Sequence, residues 1–153
     1  MNRRIFLCHE VPQHLTHIIG TPQSSNNFVS VLIKANCFDK VFSIVPPNYY
    51  DKRITSDKDM IFFQGRPTKS IIKRIYYYIL TNLKFVVRTK KNDSIWFYNL
   101  CAANVLAYIL LKFVFFRKVY IIVLDLNYAP YINFFSIHNI IVLLLKRSNG
   151  VIF

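Results

Sequence analysis

The residues best suited to chemistry sit where apolar runs end. His9 and Glu10 follow the run Arg4-Ile5-Phe6-Leu7-Cys8, Tyr98 and Asn99 close the run that begins at Ser94, and Asp125 follows Val119–Leu124. An imidazole beside a carboxylate can exchange protons with a substrate, and an amide or a second carboxylate can orient hydroxyl groups. Asn99 and Asp125 equally suit structural roles, as a turn former and a cap. Gly20-Thr21 and Ser24-Ser25 precede a helix start, whose backbone N–H groups can hold an anion. Gly20 stands alone, however, so the G-x-G-x-x-G signature of a dinucleotide loop is missing. Cys8, His9, His14 and His17 carry metal-ligating atoms, but their spacing fits no compact zinc pattern, and no metal site is expected. His138 lies in an apolar helical stretch and reads as a core histidine.

The second feature is charge. The 153 residues include 20 Lys plus Arg against 7 Asp plus Glu, a formal net charge of +13. From Arg66 to Lys91 there are bases and no acid. At about 100° per residue, Lys69, Lys73, Tyr77, Lys84 and Arg88 share one face of a helix. Ile72, Ile75, Ile79, Leu83 and Val86 fall roughly opposite. A basic face over an apolar stripe suits a helix lying against anionic lipid headgroups. It suits equally a solvated face of a helix packed on a sheet. In both readings the apolar stripe belongs to the core. Membrane contact is then electrostatic, strengthened by an exposed Tyr76 or Tyr77. Nothing beyond charge points to nucleic acid, since no recognition motif accompanies the bases.

The elements that must position these residues alternate between strand and helix. Apolar runs at 4–8, 41–45, 60–63, 94–98 and 119–124 read as strands, and 151–153 opens another. Helices are expected from a cap at Ser24, Ser25 or Asn26 through Ile33, over 68–88, over 102–116 and over 131–146. Ser148-Asn149-Gly150 reads as a helix stop with glycine in the left-handed region. Continuous apolar strands, each followed by a helix, indicate a parallel sheet covered on both faces. The expected fold is one doubly wound α/β domain over 1–153, Rossmann-like and incomplete at the C-terminus, because the chain stops just inside a strand. In such sheets ligands bind outside the carboxyl ends of the strands, where His9-Glu10, Gln64-Gly65, Tyr98-Asn99 and Asp125 fall.

Composition narrows the class. With 54% apolar and 16% aromatic residues, the chain is not a disordered one. The three cysteines, Cys8, Cys37 and Cys101, are odd in number and lie in apolar stretches, which reads as small buried hydrophobes in a reducing compartment. No signal peptide opens the sequence. The uncharged stretches 95–111 and 126–145 are interrupted by polar residues, and neither reads as a membrane span, which wants about 20 predominantly apolar residues. A cytoplasmic protein, peripheral on the inner face of the cell membrane, is expected.

The run Ser94-Ile-Trp-Phe-Tyr-Asn-Leu, then Ala103-Asn-Val-Leu, Arg117-Lys118, Val119-Tyr-Ile-Ile-Val-Leu-Asp125 and Asn149-Gly-Val-Ile-Phe153, resembles the N-terminal domain of bacterial GT-B glycosyltransferases related to family 4. The resemblance covers about residues 60–153, with the first half similar by topology. It implies the acceptor-binding half of an enzyme that transfers a sugar from a nucleotide-sugar to a surface polysaccharide, often on a lipid carrier. By position His9, Glu10, Gly20, Tyr98, Asn99 and Asp125 would line the acceptor cleft, and Lys69, Lys73, Tyr77, Lys84 and Arg88 would face the membrane. No residue is assigned as catalytic. This half carries no cofactor of its own, the nucleotide-sugar being held by the other half, so inactivity alone is expected, the chain being either a truncation remnant or one subunit of a split enzyme with a separate donor-binding subunit. The alternative is a small membrane-associated α/β binding protein without enzymatic activity.

Overall fold

The computed structural model describes residues 2–9, 23–47, 56, 60–123 and 137–152. Six strands are seen: β1 (Arg4–Cys8), β2 (Lys40–Ile44), β3 (Met60–Phe63), β4 (Ser94–Tyr98), β5 (Lys118–Ile122) and β6 (Gly150–Ile152). The helices are α1 (Gln23–Lys34), α2 (Ile71–Val86), α3 (Val105–Ile109), which continues into a π-helical turn at Leu110–Val114, and α4 (Ile137–Lys146). The sheet order is β3-β2-β1-β4-β5-β6, and every pairing is parallel. This is the doubly wound, Rossmann-like order.

Chain direction explains which face each helix covers. From β1 to β2 the chain steps one way along the sheet; from β3 through β4, β5 and β6 it steps the other. Crossovers of one hand that reverse direction must change face. Accordingly Val29 of α1 packs with Phe6, Cys8, Val41 and Met60. On the opposite face Phe85 and Val86 of α2, Ala107 and Tyr108 of α3 and Ile141 and Leu144 of α4 pack on Ile5, Leu7, Phe42, Ile95, Phe97 and Ile121. Central strands therefore bury both faces, which is why they read as unbroken apolar runs.

Two side-chain contacts hold the amino ends of the strands. Arg3 forks onto Asp93, Nε to Oδ1 at 3.0 Å and Nη2 to Oδ2 at 2.7 Å, and Asp93 also accepts the Lys90 N–H at 2.6 Å. The Arg4 N–H donates to Asp39 Oδ2 at 2.6 Å. β1 is thus tied to the loops that precede β4 and β2.

Several expectations shift. α1 spans Gln23–Lys34, so Ser24, Ser25 and Asn26 lie within the helix rather than ahead of it. Helix 68–88 is shorter, starting behind the Ser70 cap, whose hydroxyl accepts the Lys73 N–H. Gly150 is not in the left-handed region but is the first residue of β6, where a Cβ would stand 3.2 Å from the Tyr120 ring. The α4 end is closed instead by Ser148, whose hydroxyl donates to Leu145 O at 2.8 Å. Of the cysteines only Cys8 is fully buried; Cys37 and Cys101 are half-buried. Among the described residues no helix is long and apolar enough to cross a membrane.

Candidate functional site

Because β1 and β4 are neighbours, their carboxyl ends bring His9, Tyr98 and Asn99 together. The His9 ring lies 5.9 Å from that of Tyr98, and its Nδ1 is 4.0 Å from Cys101 Sγ. Burial disfavours the imidazolium and holds His9 below its ordinary pKa. A neutral imidazole at this place can both donate and accept. Tyr98 is wholly buried, its ring set against Phe28 and Phe6, so it forms a floor beneath His9 rather than an open wall. Asn99 has φ 46°, the left-handed region that an asparagine tolerates. Its N–H donates to Ile122 O at 2.9 Å, and its carbonyl accepts from Asn104 Nδ2 at 2.9 Å. Asn104 Oδ1 in turn accepts the Cys101 N–H. Asn99 therefore has the turn-forming role through its backbone. Glu10, Gly20 and Asp125 lie outside the described residues, as do His14 and His17.

Beside this edge a groove of about 480 Å³ runs between the first turns of α2 and the start of α3. Ile71, Ile75, Ile79, Ala102 and Leu106 line it, with Arg74, Tyr78 and Asn82 as the polar members. Asn82 builds the groove. It is 1% exposed, its Nδ2 donates to Tyr78 O and Ala103 O at 2.6 Å each, and its Oδ1 accepts the Ala107 N–H at 2.8 Å. Ala107 lies in the first turn of α3, where an N–H has no partner within its own helix. Asn82 is thus a cap supplied from another helix. Sequence reasoning missed it, although an asparagine inside an otherwise apolar helical pattern was the available signal.

The outer surface of α2 reverses the expected orientation. Ile72 is 80% exposed, Ile75 54%, Ile79 43% and Leu83 44%; of the apolar stripe only Val86 is buried. The buried arc carries Tyr77, Thr81, Asn82 and Phe85 instead. Tyr77 does not join the basic face: its hydroxyl lies 2.7 Å from Val45 O and 2.6 Å from Phe63 O, between which its single proton is shared. Its ring covers Gly65, where a Cβ would stand 2.5 Å from a ring carbon. Burial, and next the neighbouring Tyr78, push the Tyr77 phenol well above its usual range. Lys69, Lys73, Lys84 and Arg88 are exposed as expected, with the Arg88 guanidinium 5.1 Å from the Phe63 ring centroid. The exposed surface of α2 is therefore isoleucine and leucine edged by bases, not bases alone.

A six-stranded parallel sheet in this order, with a crevice outside its carboxyl edge, defines a Rossmann-like α/β protein. Comparison with protein-family models, with curated proteins and with solved structures gives no significant match.

Proposed function

We propose that the chain is the acceptor-binding half of a glycosyltransferase for surface polysaccharide, working on the anionic inner face of the cell membrane. It is inactive without a half that holds the nucleotide-sugar. The observation that carries the reading is the outer surface of α2, where exposed apolar side chains are edged by bases beside the carboxyl edge of the sheet. A helix of this kind lies in the membrane interface with its apolar side in the acyl boundary. Each of Lys69, Lys73, Lys84 and Arg88 adds about 1 kcal/mol near an anionic surface at low salt. The carboxyl edge of the sheet, with His9, then lies next to the bilayer, where a lipid-linked glycan presents its sugar.

The test is cosedimentation with vesicles. Anionic vesicles should bind the chain and neutral ones should not, with loss at high salt and in a Lys69→Glu/Lys73→Glu variant. Adding a lipid-linked oligosaccharide to the vesicles should tighten binding further, and a His9→Ala change should remove that increment alone. Equal binding with and without the glycan lipid would defeat the acceptor reading. Binding to neutral and anionic vesicles alike would defeat the membrane one.

A further inference from the structure

At the opposite, amino end of the strands lies a second cavity, of about 410 Å³, lined by Asn2, Lys91, Asn92, Asp93, Phe115, Phe116, Arg117 and Lys118. Three bases and two amides meet there with one carboxylate. That carboxylate is already engaged by the Arg3 fork and the Lys90 N–H. Burial raises the Asp93 pKa, but the Arg3 and Lys90 contacts more than reverse this, so the group stays ionised and balanced by Arg3. Among the described residues Lys91, Arg117 and Lys118 have no carboxylate partner.

The guanidinium of Arg117 makes this cavity unlike a solvated basic surface. Its Nε and Nη1 are buried and, among the described residues, have no hydrogen-bond partner. A buried donor left unmade costs about 1–3 kcal/mol, more when charged, and such a group calls for an explanation. Nε and Nη1 lie on different edges of the guanidinium, so each can make its own charge-assisted hydrogen bond, and a phosphate oxygen is a strong acceptor for either. The backbone beside it is also unusual. The helix leading to it ends in the π-helical turn Leu110–Val114, and Phe116 holds φ 50°, a region that bulky side chains rarely enter. Phe116 is 84% exposed and Phe115 49%. Neither aromatic is held there by burial.

We infer that the amino edge of the sheet is a binding site for a phosphate group, with Arg117 as the charged donor, Lys91 and Lys118 as flanking charges, and Phe115–Phe116 as the apolar rim. The site is separate from the carboxyl-edge crevice and does not depend on sugar transfer. A soluble phosphate ester and a phospholipid headgroup share this chemistry, and the rim is what tells them apart.

The experiment follows the Arg117 Nε–H resonance of the full chain by NMR during titration with inorganic phosphate, glycerol phosphate, and vesicles of phosphatidylcholine with or without phosphatidic acid. The Arg117 signal should move on phosphate binding in the unmodified protein, so the result does not depend on any variant folding. Arg117→Gln should weaken binding about ten-fold, equivalent to about 1.4 kcal/mol, while Lys34→Gln at the end of α1 leaves it unchanged. Binding of glycerol phosphate that survives Phe116→Asp supports the site and identifies a soluble ester. Binding confined to phosphatidic acid vesicles and lost in Phe116→Asp supports the site and identifies a headgroup. An Arg117 resonance that stays still at saturating phosphate, or equal weakening by Arg117→Gln and Lys34→Gln, overturns the inference. Failure of the α2 variants to affect vesicle binding would bear on the proposed function alone.

Discussion

Replacing Asn82 by alanine isolates the contact on which the groove and the start of α3 depend. The change removes one acceptor and two donor contacts at a site 1% exposed. Tyr78 O keeps a place in the helical ladder of α2, so its loss is small. The Ala107 N–H and the Ala103 carbonyl are different, because both become buried groups without that partner. At about 1–3 kcal/mol for the N–H and about 1 kcal/mol for the carbonyl, Asn82→Ala should cost about 2–4 kcal/mol. For a domain of this size each kcal/mol lowers Tm by about 2–4 °C, so a drop near 10 °C is expected. Urea titration followed by circular dichroism measures it, and an unchanged m-value would show that the denatured state is not what moved. Asn82→Asp separates the two halves of the contact. It keeps the acceptor for Ala107 but faces the Ala103 and Tyr78 carbonyls with a buried carboxylate, so its deficit should exceed that of alanine at neutral pH and shrink as the carboxyl is protonated. A loss under about 1 kcal/mol for alanine would refute the cap assignment.

Three further outcomes follow from the same contacts. Tyr77→Phe removes the hydroxyl shared by Val45 O and Phe63 O and should cost about 1–2 kcal/mol; Gly65→Ala should cost more, and a double-mutant cycle in a Tyr77→Ala background should abolish most of that excess. His9 and Asp93 both have folded pKa values below their unfolded ones. The unfolded chain therefore binds protons more readily, and stability declines as pH falls, first from about 6.5 through His9 and then below about 4 through Asp93. His9→Gln should flatten the first limb of the urea midpoint against pH, and Asp93→Asn the second. Phe116→Gly should raise stability by about 1 kcal/mol, because glycine adopts a positive φ without the steric penalty; a fall in Tm would mean that the Phe116 side chain contributes packing its exposure does not suggest.

The strands were legible because a parallel sheet covered on both faces leaves no room for polar alternation: 4–8, 60–63 and 94–98 are apolar from both directions. The orientation of α2 was not, and the reason is physical. Helical periodicity groups the isoleucines and suggests that they face inward, but which arc faces the sheet depends on where neighbouring backbone needs partners. Val45 O, Phe63 O, Ala103 O and the Ala107 N–H all lie under α2, and only the arc carrying Tyr77, Thr81 and Asn82 can satisfy them. Those partners come from three distant stretches of chain, so no local pattern reveals them. Of the crevice, His9 and Asn99 could be found from strand ends alone. The meeting of Arg117 with Lys91 could not, because it rests on Phe116 turning into the left-handed region.

The inverted helix also constrains what can cover it. Satisfying buried backbone took precedence over burying Ile72, Ile75, Ile79 and Leu83, which left a contiguous apolar surface of a kind that monomeric proteins rarely expose without a purpose. Protein interfaces draw their energy from tryptophan, tyrosine and arginine anchors seated in pockets, whereas this surface is mainly aliphatic, with Tyr76 as its one exposed aromatic among the described residues of α2 and bases along its edge. That composition matches a phase that is apolar within and anionic at its rim, which is the arrangement of a lipid leaflet. The same argument sets a condition on the amino edge. If Arg117 takes a lipid headgroup, Phe116 and the outer surface of α2 must reach one plane together, and charge reversal at either place should weaken the other's binding more than additively. If it takes a soluble ester, the two perturbations should be independent.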